Sequence, residues 1–336
     1  MRLEDLDYPL DPGRIAQEPI EPRDAAKLLV DRGDADPDHL HVRDLPSLLR
    51  DGDVLVVNET KVIPARLRLR RATGGASEVL LLEPRDAERR EWEALVRPAR
   101  KLPAGSVLYA PSGDAVVAIG ERTEAGDTFT VTVLGEGDVL DVLARHGEMP
   151  LPPYIHTKLD RPERYQTVYA ATPGSAAAPT AGLHLTDDVF AAIADRGIDV
   201  RRVELVVGLD TFAPVTEADP LDHRMHSERY RVPAETWQAV TDARRVVAVG
   251  TTSVRALESA RATGRLEGRT ELFLHAGSPV QVVDVLMTNF HMPRTTLLML
   301  VEAVIGGRWR RLYAEAMAND YRFLSFGDAT LLDRHA

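Results

Sequence analysis

Apolar residues occur along this chain in short runs set between polar turns. Val54-Leu55-Val56-Val57 follows Asp51-Gly52-Asp53 and ends at Asn58, and similar runs occupy 203–207 and 246–249. Short runs so rich in apolar residues predict buried strands. Helical spacing takes over after Thr186. There Val189, Phe190, Ile193 and Ala194 form one apolar face, and Gly197 marks the stop. Thr186 suits an N-cap, and Asp187 and Asp188 suit the positive end of a helix. A further helix is predicted at 45–49, and another runs from Gly250 through Arg255-Ala256-Leu257-Glu258. Strand and helix alternate over 151–336, which argues an α/β core.

Residues 64–150 differ in texture. Segments 78–83, 92–97, 106–109, 115–119 and 128–134 are short and rich in Val, Leu and Thr. Turns such as Thr73-Gly74-Gly75, Pro111-Ser112-Gly113 and Glu124-Ala125-Gly126-Asp127 separate them. Strands at this spacing predict a small barrel or sandwich. The expected organisation is an α/β core from 1–63 and 151–336, with 64–150 inserted as a β-rich domain.

Composition narrows the function. With 336 residues, 44% of them hydrophobic, the chain exceeds what one compact domain usually holds. It has no cysteine, which excludes disulfides, Cys-ligated zinc, iron–sulfur clusters and cysteine nucleophiles. The opening MRLEDLDYPLDPG lacks the apolar stretch of a signal peptide. The best apolar run, 295–305, is short for a membrane span and contains Glu302. A soluble cytoplasmic protein is expected. The net charge of −11 argues against non-specific polyanion binding but leaves room for a local basic patch. Arg66, Arg68, Arg70 and Arg71 are crowded together, as are Arg308, Arg310 and Arg311. The ordinary reading of either cluster is a solvated face.

Several segments carry candidate chemistry. Gly250-Thr251-Thr252-Ser253-Val254-Arg255 is a strand-to-helix turn rich in hydroxyls, fit either for plain capping or for an anion. It is neither a phosphate-binding P-loop nor a dinucleotide fingerprint. His223-Arg224-Met225-His226-Ser227-Glu228 has two histidines and a carboxylate. That composition allows a metal, proton transfer or a structural role. Pro179-Thr180-Ala181-Gly182-Leu183-His184 feeds the Thr186 helix, with Gly182 allowing close backbone approach. Thr288-Asn289-Phe290-His291 closes an apolar stretch, either as a polar turn or as a reader of a base or ribose.

Taken together and in order, these segments resemble the S-adenosylmethionine:tRNA ribosyltransferase-isomerases of queuosine biosynthesis, the QueA family. The matching stretches begin with Ile15-Ala16-Gln17-Glu18-Pro19, Arg23-Asp24 and Asn58-Glu59-Thr60-Lys61-Val62-Ile63-Pro64-Ala65-Arg66. They continue with Met149-Pro150-Leu151-Pro152-Pro153-Tyr154-Ile155, Glu163-Arg164-Tyr165-Gln166-Thr167-Val168-Tyr169 and Ala178-Pro179-Thr180-Ala181-Gly182-Leu183-His184. Asp222-His223, Met225-His226-Ser227-Glu228, the 250–255 turn with Glu258, 288–291, Tyr321-Arg322-Phe323 and Gly327-Asp328 complete the set. The resemblance implies an α/β core, a mixed sheet with helices, carrying a smaller inserted β-barrel-like domain. It also implies a transferase that consumes S-adenosylmethionine as a ribosyl donor, without a metal. The acceptor would be the aminomethyl-7-deazaguanine (preQ1) at the wobble position of a tRNA, giving epoxyqueuosine-tRNA, adenine and methionine. The expected partner is that tRNA and the expected state a monomer, with no membrane.

On this resemblance, His184, His226 and Glu228 are the catalytic candidates. Asn58, Thr60, Thr180, Gly182, Gly250, Thr251, Thr252, Ser253, Arg255, Asn289 and His291 are candidates for S-adenosylmethionine or the nucleobase. Arg66, Tyr165 and Arg322 are candidates for tRNA. Two stretches depart from the family pattern. Asp210-Thr211-Phe212 stands where Gly-Thr-Phe is usual, and His275-Ala276-Gly277-Ser278-Pro279-Val280 replaces an aromatic-rich stretch. These departures raise an alternative, a relative that cleaves S-adenosylmethionine with a small-molecule acceptor.

Overall fold

The computed structural model describes residues 2–124, 126–208, 215, 217, 219–223 and 225–336. The chain forms two compact units. One comprises Met1–Thr60, Pro152–Thr172 and Pro179–Ala336, the other Lys61–Leu151 and Pro173–Ala178.

The larger unit is built on a mixed sheet, with nine strands among the described residues. Its centre is four parallel neighbours in the order Asp199–Leu205, Asp53–Asn58, Arg245–Val249 and Val285–Asn289. The strand Ala329–Asp333 then runs antiparallel to 285–289, and Lys27–Val30 runs parallel to it. Strands Glu228–Arg231, Glu267–Thr270 and Asp38–His41 complete the two flanks. Every residue of 53–58 and 285–289 is buried, as an apolar run covered on both faces requires. Alternate residues of the central strands, Leu55, Val57, Val247, Val249, Val285 and Met287, share one core with Leu45, Leu49, Val189 and Ile193. Helix Thr251–Thr263 lies against 199–205, 53–58 and 245–249.

The expected helix after Thr186 is Asp187–Asp195. The Thr186 hydroxyl accepts from the Val189 N–H, and Gly197 sits at φ +69°. The 45–49 helix is a single turn, Leu45–Leu48. Residues 203–205 of the apolar run 203–207 belong to a strand that begins earlier, at Asp199, where parallel pairing with 53–58 starts. Arg201 pairs with Asp199 at 2.8 Å and Arg202 with Glu59 at 3.2 Å. The 295–305 run is a ten-residue helix, Thr296–Ile305, capped by Thr295. Among the described residues no helix is long and apolar enough to cross a membrane.

The smaller unit resolves the choice between barrel and sandwich. Strands Arg66–Arg71, Ala76–Pro84, Glu91–Arg97, Phe129–Val133, Ala115–Arg122 and Val107–Tyr109 pair in that order, and the last pairs back onto the first. The result is a closed antiparallel barrel, which leaves no free sheet edge. Bulges between Leu81 and Glu83, Leu108 and Tyr109, and Phe129 and Val131 bend its strands. Trp92, Leu67, Val79 and Val131 are fully buried in it.

Candidate active site

Four parallel strands end on one edge of the large sheet, at Leu205, Asn58, Val249 and Asn289. Open parallel sheets place ligands outside the carboxyl ends of their strands. Most of the predicted residues of the larger unit collect at this edge.

The Thr180–His184 turn is anchored to the end of strand 285–289. Thr180 Oγ1 donates to Asn289 Oδ1 at 3.0 Å, and Asn289 Nδ2 lies 3.0 Å from His184 Nε2. His184 is buried, and that burial, with Arg322 and Arg23 nearby, pushes its imidazole down to about 3. The ring is therefore neutral at physiological pH. A pocket beside it is lined by Pro19, Ile20, Arg23, Arg164, Ser325 and Phe326. Gly182 has no room for a side chain, since a Cβ there would overlap the Tyr169 hydroxyl oxygen.

Gly250 sits at φ +87° and caps helix Thr251–Thr263, facing Ala181 of the 180–184 turn. Thr251 and Thr252 are buried, and Thr252 Oγ1 makes no hydrogen bond among the described residues. Ser253 is already engaged, donating to Val249 O at 2.7 Å. Arg255 is also engaged by its own chain. It donates to Leu272 O at 3.2 Å and forms a buried ion pair with Glu228, which also accepts from Gly208 N. Burial pushes the Arg255 guanidinium down to about 10. Arg255 and Glu228, expected in ligand binding and proton transfer, are thus each other's partners. His226, two residues before Glu228, is exposed.

Asn58 and Thr60 are also engaged within the sheet. Asn58 Nδ2 donates to Leu205 O at 3.0 Å and its Oδ1 accepts from Leu205 N and Thr60 N, each at 3.2 Å. Thr60 Oγ1 donates to the same Leu205 carbonyl at 3.3 Å. Asn58 so continues the pairing of its strand beyond the last backbone rung. His291 is buried, bonded through Nε2 to Thr288 Oγ1 at 2.9 Å, and pushed down to about 3 by burial. Its backbone is held by the hydroxyls of Tyr8 and Tyr313.

Of the three residues expected at tRNA, Tyr165 is fully buried against Phe326 and has no face to stack on a base. Arg322 lies near His184 and donates to Glu18 O at 3.3 Å, while its Nη2 has no partner among the described residues. Arg66 belongs to the barrel unit, where it is half-buried and donates to Leu151 O at 3.4 Å. Arg66, Arg68 and Arg70 alternate with the buried Leu67 and Leu69, so the arginine cluster is the outer face of a barrel strand. Arg308, Arg310 and Arg311 are tied to their own chain: Arg308 to Asp31 at 3.1 Å, Arg310 to Glu302 at 3.3 Å and Arg311 to Ala35 O at 2.9 Å. Among the described residues no three His, Cys, Asp or Glu side chains group as metal ligands would. His223 instead bonds Glu217 at 3.1 Å.

Some residues of the matching motifs carry more structure than their spacing signals. Arg23 donates to Gln166 O at 2.6 Å and Leu183 O at 3.2 Å, securing the backbone beside His184. The buried Glu258 carboxylate accepts from the N–H groups of Gln281, Val282 and Val283 at 2.9–3.1 Å. Asp328 accepts from Lys27 N and Arg322 N. A carboxylate gathering several backbone donors was marked in the sequence only by the Glu258 and Gly327-Asp328 motifs. Of the two departures, Asp210 lies outside the described residues. The other is a turn closed by Ser278 N to His275 O at 2.8 Å, with Gly277 at φ +88°.

Comparison with known proteins fits this architecture. The family model described as queuosine biosynthesis protein matches residues 3–332. The S-adenosylmethionine:tRNA ribosyltransferase-isomerase of Symbiobacterium thermophilum is 49% identical over 99% of this chain and 100% of its own. That of Rubrobacter xylanophilus is 50% identical over 99% of this chain and 98% of its own. The crystal structure of the S-adenosylmethionine tRNA ribosyltransferase from Thermotoga maritima aligns with a TM-score of 0.55 and 34% identity, covering 97% of this chain and 99% of that one. With a family match over residues 3–332 and identity of about one half to its members from end to end, the chain belongs to the queuosine biosynthesis protein family.

Proposed function

We infer that this protein is an S-adenosylmethionine:tRNA ribosyltransferase-isomerase, transferring and isomerising the ribosyl moiety of S-adenosylmethionine onto a tRNA base. The observation that carries this reading is identity of about one half, over nearly the whole chain, to enzymes of that name. We propose preQ1 at the wobble position as the acceptor, with epoxyqueuosine-tRNA, adenine and methionine as products. No observation favours the small-molecule acceptor.

The chemistry asks little of a protein beyond positioning and charge. A sulfonium acidifies the neighbouring ribose C5′, methionine leaves as a neutral thioether, and adenine must depart with its charge stabilised. We propose that the methionine carboxylate meets the first turn of helix Thr251–Thr263. There the N–H groups of Thr251 and Thr252 and the Thr252 hydroxyl, which has no partner among the described residues, offer donors at the positive helix end. His184 and its pocket would then face the nucleoside. Ser253, Arg255, Asn58 and Thr60 support the walls rather than the ligand.

The test is product release. Purified protein with S-adenosylmethionine is incubated with preQ1-tRNA, unmodified tRNA or no tRNA, and adenine and methionine are followed by chromatography. Release of both only with preQ1-tRNA, with the matching mass gain on the tRNA, is expected. Equal release without tRNA would refute the proposed acceptor.

A further inference from the structure

We propose that His184 acts as a hydrogen-bond donor through Nδ1–H, and that Asn289 and Thr180 are positioning residues that set this tautomer. The inference rests on the reading of the site given above and assigns His184 a role within it.

The argument follows the hydrogens. Asn289 Nδ2 faces two groups, His184 Nε2 at 3.0 Å and the carbonyl oxygen of Asp328 at 3.5 Å. A carbonyl only accepts, so the group turned toward it must be the amide nitrogen. Asn289 Oδ1 is then left to accept from the Thr180 hydroxyl at 3.0 Å. The reversed amide would set two oxygens against each other at Asp328. With its orientation so defined, Asn289 donates to His184 Nε2, which must carry a lone pair. A neutral imidazole has one N–H, so that proton belongs to Nδ1. Neutrality follows from burial and from the positive groups around the ring, Arg23 on the turn Arg23–Ala25 and Arg322 after helix Trp309–Ala318.

Nδ1 makes no hydrogen bond among the described residues, and the ring lines the pocket shared with Arg23, Arg164 and Ser325. An N–H on a pocket wall that no protein acceptor takes is open to an acceptor that arrives with the substrate. His184 is therefore poorly suited to remove the ribose C5′ proton, because its lone pair is already engaged. It is well suited to the departure of adenine. As the glycosidic bond opens, its electron pair passes to the purine, and the Nδ1–H group hydrogen-bonds a purine ring nitrogen on which that charge gathers. No proton leaves His184 in this step. A donor aimed where charge develops stabilises the transition state without reorganisation.

The test reads the tautomer directly. Long-range proton–nitrogen NMR on protein labelled with ¹⁵N-histidine should show His184 protonated at Nδ1 and bare at Nε2 at neutral pH. Asn289→Asp presents only acceptors to Nε2 and should move the proton there. In that variant kcat should fall by about 10²-fold or more, with KM for S-adenosylmethionine changed less than about threefold. His184→Asn places an amide nitrogen near Nδ1 and should retain more kcat than His184→Gln, whose amide lies near Nε2. Wild-type protein protonated at Nε2 would overturn the proposal, as would an Asn289→Asp variant that moves the proton yet turns over normally. The NMR reading needs no turnover and no variant. Wild-type protein with the Nδ1 proton that released no adenine with preQ1-tRNA would sink the reaction assignment instead.

Discussion

Replacing Glu228 by alanine should damage the fold more than the chemistry. Glu228 and Arg255 are both buried, with side-chain exposures of 6% and 5%, and form an ion pair. Burial already pushes Arg255 down to about 10, which leaves it charged at pH 7. Arg255 Nη2 has no hydrogen bond among the described residues, and the Leu272 carbonyl that Nε reaches carries no full charge to replace the carboxylate. Removing one member of such a pair leaves an uncompensated charge in the interior, at a cost of about 3–5 kcal/mol. That is a large share of the ~5–15 kcal/mol that holds a typical fold together. Urea unfolding should show a lower midpoint for Glu228→Ala at unchanged slope. The double variant Glu228→Leu/Arg255→Met removes both charges and should recover at least about 2 kcal/mol of the loss, since apolar replacement of a buried pair is often neutral or better. Glu228→Gln keeps one acceptor oxygen, for Arg255 or for Gly208 N but not both, and should still hold kcat within about tenfold, whereas loss of a general acid or base costs about 10²–10⁴-fold. A Glu228→Ala variant that loses less than about 1 kcal/mol while kcat collapses would refute this and return Glu228 to the chemistry.

Three further outcomes are expected. His184 and His291 sit at about 3 in the fold against 6.5 for an ordinary histidine. Their folded values are depressed, so their stability is intact above about 6.5 and is lost as pH falls, because the unfolded chain takes up protons first. Each withdraws about 2 kcal/mol between pH 7 and pH 5. Urea midpoints at the two pH values should differ by less in His184→Gln than in wild type, and equal differences would contradict the assignment. Gly182→Ala drives a methyl group into the buried Tyr169 hydroxyl and should cost about 1–3 kcal/mol, partly recovered by adding Tyr169→Phe, as thermal unfolding would show. Glu258→Ala strips three N–H groups at 281–283 of their acceptor and should cost about 3 kcal/mol or more, with lost hydrogen-exchange protection at Val282 and Val283 as the local signature.

Much of the architecture was legible one segment at a time. The 54–57 run became a central buried strand, Thr186 capped its helix, and the Val- and Thr-rich middle segments became barrel strands. Each rests on local physics: residue spacing, a cap or a turn. The arginine cluster at 66–71 carried a period-two alternation with Leu67 and Leu69 as well as its charge, and the alternation was the stronger signal. The short strands 27–30, 38–41, 228–231 and 267–270 lacked a comparable local pattern. They are defined by neighbours in the sheet.

The site divides along the same line. Sequence alone brought forward motifs whose order and residue types match a family, and it named His184, Asn289, Thr180 and the 250–255 turn as candidates. It could not separate side chains that face a ligand from those spent on the protein. Asn58 is consumed by Leu205, Ser253 by Val249, Arg255 by Glu228 and Tyr165 by the interior. Asn289 and His184 lie 105 positions apart, and no local pattern pairs them. Residue type decides what a side chain is able to do, whereas burial and hydrogen-bond partners decide what it is left free to do. Those depend on segments distant in sequence, and only the folded sheet brings them together.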